Sequence, residues 1–197
     1  MQPTWMDHHY LNFWLWACLH DAEAYLESSR QSISAMRSPS KDWAASHNER
    51  LSAQRHLHLN QYHFVLTTGS LVKHLTRLAP LFPSIQSAFD AAEHLKKEAL
   101  YLRNMIEHAD TNLEAANKGT PRGGFVRTSN LLPDLPGDSR GSADATSTII
   151  DQDGHWLGGR LNVERVIAEV RLIHEAAKAI PPPTPRGPSG AVSPLRA

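Results

Sequence analysis

One short segment of this chain, Arg103-Asn104-Met105-Ile106-Glu107-His108, gathers residue types suited to acid–base chemistry on a phosphate. A histidine with its ordinary pKa of about 6.5 can take or give a proton near neutrality, which makes His108 a candidate general base or acid. Arg103 offers a planar fork of donors that matches phosphate oxygens. Asn104 can orient either group or hydrogen-bond a substrate. Glu107 and Asp110 could hold a guanidinium or an imidazole, although they also bring negative charge close to a phosphate. On a helix Asn104 and His108 are i, i+4 neighbours and share a face. Arg103 and His108 lie about 140° apart around the axis, so they do not share a narrow one.

The element that must position these residues is the most regular in the sequence. Ile85, Ala88, Ala92, Leu95, Ala99, Leu102, Ile106, Ala109 and Leu113 recur every three or four residues, which predicts one helix from Ser84 to Lys118 with Gly119 at its C′ position. The seam is heptad-like, and its alanines allow a neighbouring helix to approach closely. Arg103 flanks this seam. Tyr101, Asn104 and His108 lie away from it, on a polar side that faces water or a second surface.

An arginine, a polar residue, three further residues and a histidine, late in a long helix of a small helical domain, resemble the signature of the HEPN superfamily, written here as RNMIEH. The resemblance is carried by these six residues and, through the helix layout, by the region from Leu51 to Ala116. It implies a helical bundle that dimerises and, in active members, brings the arginine and histidine of two protomers together to cut RNA without a metal. Arg103 and His108 would then be catalytic, with Asn104 in the same site and Tyr101, Glu107 and Asp110 in support. It implies no cofactor. A cognate inhibitor protein and a toxin–antitoxin or defence setting are natural extensions.

Three further helices are expected. The first runs from about Trp5 to Ser29, with Leu11, Trp14, Leu15, Cys18, Leu19, Ala22, Tyr25 and Leu26 on its apolar stripe. Its aromatic residues Trp5, Trp14, Trp16 and Tyr25 read as core or dimer-interface anchors, and Trp14 and Trp16 point to different sides. The second starts near Ser46, where Ser46 and Glu49 form a capping-box pattern, and ends before Pro80. Gly69 within it suggests a close helix crossing. The last is capped by Asn162 and buries Val163, Val166, Ile167, Val170, Ile173 and Ala177. Between the third and last helices, residues 120–145 read as an extended loop. Residues 146–151 and 155–161 read as strands of a hairpin turning at Gln152-Asp153-Gly154. Gly123-Gly124 and Gly158-Gly159 read as turn glycines. The expected fold is thus mainly all-α: an up-down bundle of about four long helices with a small β-hairpin before the last. One domain spans residues 1–180, and a disordered Pro-rich tail covers 181–197.

Composition sets the remaining bounds. The chain has 197 residues, 41% of them hydrophobic, enough for one real core. Its 20 basic and 20 acidic residues cancel, so no chain-wide electrostatic footprint for nucleic acid exists. The lone Cys18 excludes an internal disulfide and fits a reducing compartment. No apolar run approaches the ~20 residues of a membrane span, and no basic leader precedes the first helix, so a cytoplasmic, membrane-free protein is expected. The 12 histidines show no metal-ligand spacing, neither His-Glu-x-x-His nor paired Glu-x-x-His, and no metal site is expected. Phosphate-loop, nucleophile-elbow and dinucleotide motifs are absent. Cys18 lies in apolar helical surroundings that favour the thiol over a nucleophilic thiolate.

Two other readings remain open. A non-catalytic helical interaction module would use an apolar stripe to bind a partner or a second copy, and RNMIEH would then be an ordinary solvated face with i, i+4 ion pairs. A metal-binding bundle is the third.

Overall fold

The computed structural model describes residues 4–37, 43–107, 126–127, 142–143 and 148–181. Helix α1, Trp5–Arg37, opens on a reciprocal cap in which the Thr4 amide donates to the Asp7 carboxylate and the Asp7 amide to the Thr4 hydroxyl. Of the expected stripe, Leu11, Leu15, Cys18, Ala22 and Tyr25 are buried, while Trp14, Leu19 and Leu26 at its edges are partly buried against the core. The helix continues past the expected end at Ser29. Ser28, Ser29, Ser32 and Ala35 are all buried against α2, and such small side chains let two backbones approach closely. Arg50 Nε caps this stretch, donating to the Ala35 carbonyl at 3.2 Å.

Helix α2 spans Trp43–Leu78. It starts ahead of Ser46, which lies buried inside it, so the Ser46–Glu49 pattern is not the helix cap. Packing against α1 outweighs the local capping signal. Pro80 ends the α-helix in a 3₁₀ turn at Ala79–Leu81, and Pro83 occupies the first turn of α3, Pro83–Ala91.

The long third helix expected from the seam is broken. Ala92 adopts φ −82° and ψ 64°, and α4 restarts at Glu93–Glu107. The break survives because Glu169, on the last helix, accepts from the exposed N-terminus of α4, with the Leu95 amide at 2.7 Å and the His94 amide at 3.4 Å. Ile85, Ala92, Leu95, Ala99 and Leu102 are nevertheless all buried, so the seam runs on across the break. Residues 108–118 and Gly119, expected to complete this helix, lie outside the described residues.

Within residues 120–145, two short strands, β1 (Val126–Arg127) and β2 (Ser142–Ala143), pair antiparallel; the rest of that expected loop lies outside the described residues. Strands β3 (Thr148–Asp151) and β4 (Gly154–Leu157) form the expected hairpin, with Asp151 opposite Gly154. Gly154 has φ 115°, a conformation that an L side chain rarely adopts. The second strand stops sooner than residue 161, because Gly158 (φ 56°) and Gly159 (φ 64°) turn the chain. A third strand, β5 (Leu161–Asn162), folds back on β4, with Leu157 opposite Leu161. Helix α5, Val163–Lys178, follows directly. Asn162 is its N-cap, accepting from the Arg165 amide at 2.8 Å, and the six expected apolar residues are all buried.

The result is mainly all-α, with five α-helices among the described residues and the small sheet placed before the last of them. Helix α1 packs on α2 and α5, α2 on α4, and α3 on α5, around one continuous core. Among the described residues no helix is long and apolar enough to cross a membrane. The tail from Pro182 onward lies outside them.

Candidate functional site

Arg103 sits where α4 crosses α2, and Gly69 makes the crossing possible. A Cβ at Gly69 would lie 2.7 Å from Arg103 Cβ and closer still to Arg103 Cδ. The arginine stem therefore fills the space that any larger residue would need. Its guanidinium emerges one turn further on, where Nη2 donates to Glu107 Oε1 at 2.5 Å. The side chain is 16% exposed, and its buried Nε has no hydrogen-bond partner among the described residues. An unsatisfied buried donor of this kind costs about 1–3 kcal/mol. Asn104, the next residue, is exposed.

Of the other residues expected in the site, Tyr101 belongs to a different contact. Arg160, from the turn before β5, lies over its ring at 4.3 Å from the centroid. The same guanidinium donates through Nε to Glu98 Oε2 at 2.5 Å, and this bond is the main cause of its raised pKa. Tyr101, Arg160 and the buried Glu98 thus tie α4 to the sheet. Arg103 and Glu107 are brought together, with Asn104 beside them in solvent. His108 and Asp110 lie outside the described residues.

Sequence reasoning did not single out a second polar cluster, where the sheet meets α4 and α5. His94 Nε2 accepts from the Asn162 amide at 2.9 Å, which places the ring proton on Nδ1. Burial, reinforced by Arg165 and Lys97 and opposed by Glu169 and Glu98, holds its pKa below the ordinary value. Glu164 receives the His155 amide at 2.8 Å and faces His155 Nδ1 at 2.6 Å. Its carboxyl carbon would lie 2.5 Å from a Cβ on Gly154, so a side chain there would push this flexible carboxylate aside, while the φ of 115° is what calls for glycine. Asp151 accepts from the Trp156 indole at 3.1 Å. These pairs join residues from five elements (α4, β3, β4, β5 and α5), and only the Asn162 cap and the Gly154 turn left a local trace in the sequence.

Cys18 is buried with its sulfur 3.4 Å from the Thr68 hydroxyl, and burial pushes its thiol up to about 12. It does not supply a thiolate near neutrality. Among the described residues no group of three or more His, Cys, Asp or Glu side chains could hold a metal ion. An open groove of about 500 Å³ between the facing ends of α1 and α2 is lined by Gln31, Ser34, Glu49, Ser52 and His56 and contains none of the expected site residues. No family model matches the chain, and comparison with curated proteins and with solved structures returns no match.

Proposed function

We propose that this chain is a HEPN-like helical domain that acts on RNA through Arg103, Asn104 and His108, as a metal-independent endoribonuclease working as a dimer. The observation that carries the reading is the state of Arg103. Its stem is clamped across Gly69 and its head is held by Glu107. A guanidinium held in place, with Nη donors beyond the one given to Glu107, is suited to meet the charge of a phosphorane. In the reaction, one imidazole takes the proton of the ribose 2′-hydroxyl and that oxygen attacks the adjacent phosphorus. The 5′-oxygen leaves with a proton from a second acid, for which the His108 of the other protomer is suited. Glu107 opposes the binding of a phosphate to the same guanidinium, so substrate must share Arg103 with it or displace it. A nuclease of this kind calls for restraint, and a cognate inhibitor protein belongs to the same proposal.

The test is cleavage of a mixed RNA substrate in excess chelator. His108→Ala is expected to lower the rate by at least about 100-fold, the scale of a lost general acid or base, with the helical melt unchanged. A variant that cuts as fast as the wild type removes the mechanism.

One observation favours a second reading, a non-catalytic interaction module. The first four turns of α1 carry a row of exposed aromatic side chains on the face opposite its buried stripe.

A further inference from the structure

Among the described residues, that row is a feature that the ribonuclease reading leaves unused. Trp5, Met6, Tyr10, Phe13 and Trp16 are each between 43% and 57% exposed and lie on one side of α1. Leu11, Leu15, Cys18 and Ala22, on the other side, fill the core. Two histidines complete the exposed face. Trp5 stacks on His9 with centroids 5.1 Å apart, and Trp16 stacks on His20 at the same 5.1 Å. The face is a repeated Trp-x-x-x-His unit with Phe13 between the two copies.

We propose that this face is the interface with a second copy of the chain, formed by antiparallel pairing of two α1 helices about a two-fold axis near Asn12 and Phe13. Three features select this occupant. The first is self-complementarity. Reversing the helix brings Trp5 opposite His20 and His9 opposite Trp16, so every indole meets an imidazole, the same ring pairing that each helix already makes along its own length.

Charge is the second feature. Helix α1 contains no lysine or arginine before Arg30, while Asp21 and Glu23 lie on or beside the aromatic row. A phosphate backbone or an anionic lipid surface would meet at this edge only Arg171 of α5, which already faces Glu23 at 4.0 Å, and both kinds of partner require clustered cations.

Area is the third. Large side chains of about 200 Å², each roughly half exposed, offer on the order of 500 Å² of apolar surface per copy. Two copies reach about 1,000 Å², the lower bound for a specific interface.

This contact does not depend on the ribonuclease reading. Helix α1 packs on α2 and α5, whereas Arg103 is carried by α4 on the far flank of α2, so the two surfaces are separate. Sedimentation of the full chain at about 50 µM, a concentration that populates micromolar interfaces, is expected to show at least a dimer. The double variant Phe13→Glu, Trp16→Glu should halve the mass while keeping the helical melt. A monomeric wild type, or an unchanged mass in the double variant, overturns the proposal. If that variant misfolds, cross-linking decides instead. Phe13→Cys, next to the two-fold axis, should give a dimer band with a short bis-maleimide, and the exposed α3 control Ser87→Cys should not. The buried Cys18 adds no background. Absence of the Phe13→Cys band also overturns the proposal. Ribonuclease assays of His108→Ala read out the other surface and leave this outcome untouched.

Discussion

At the scale of single residues, Gly69 and His94 carry the sharpest consequences. Gly69→Ala gains up to about 1 kcal/mol of helix propensity but drives a methyl group into Arg103. Overpacking of this kind costs about 1–3 kcal/mol, so the net change is a loss. The variant is expected to melt a few degrees lower. Arg103→Ala should not rescue it, because Arg103 Cβ alone would lie 2.7 Å from the new methyl. A melt equal to wild type would mean that α2 and α4 can separate freely. His94 makes stability depend on pH. Its pKa is depressed in the fold by burial first and by Arg165 next, while the unfolded chain binds its proton near the ordinary value of about 6.5. The unfolded state therefore holds more protons below that value, and stability falls as pH drops through it toward the depressed native pKa. Protonation also removes the lone pair that receives the Asn162 amide. Melting temperature should drop between about pH 7.5 and pH 5, and His94→Gln should flatten the slope. His74 and His174, also held below the ordinary value by burial, account for any slope that remains in that variant. An identical slope with and without His94 would rule out its part.

At the scale of elements, the Ala92 break shows how much of a helix can be written far from its own sequence. Ala92 has no side chain with which to cap α4, and Glu169 supplies the acceptor instead. Glu169→Ala should cost about 1–2 kcal/mol by urea titration, the usual range for a lost cap, and should speed hydrogen exchange at the Leu95 amide. Unchanged exchange there would assign the break to another cause. The apolar spacing from Ile85 to Ile106 made the buried side of this region legible, since the same face points inward before and after the interruption. The break itself was not legible, because nothing local marks Ala92 and its partner lies in another element. The same contrast holds at the first two helices. Their stripes were readable, but their lengths were set by buried Ser28, Ser29, Ser32 and Ala35, residues whose low apolarity hides a tight contact. Asn162 and the glycines at 154, 158 and 159 were readable because caps and left-handed turns restrict residue type locally. The third strand required knowing that β4 would find a partner after its turn.

At the scale of the molecule, the candidate site is legible in part. The sequence placed Arg103 on the flank of the seam, and the structure adds the Gly69 clamp and the Glu107 bond that fix it. Tyr101 was grouped with the site by helical phase, yet its ring is engaged by Arg160, which arrives from the sheet and could not be anticipated from α4 alone. One feature of this architecture bears on timing. Helix α4 carries the proposed chemistry, but its first turn is completed by a carboxylate 74 residues later in the chain. A ribosome releases the two ends of that contact in order, the arginine helix well ahead of its cap. While the chain is being made, α4 has an open end and no α5 beside it, and the surface that would present Arg103 is unfinished. Whatever that surface does, the nascent chain is expected to do it last, after the final helix has left the exit site and closed the bundle.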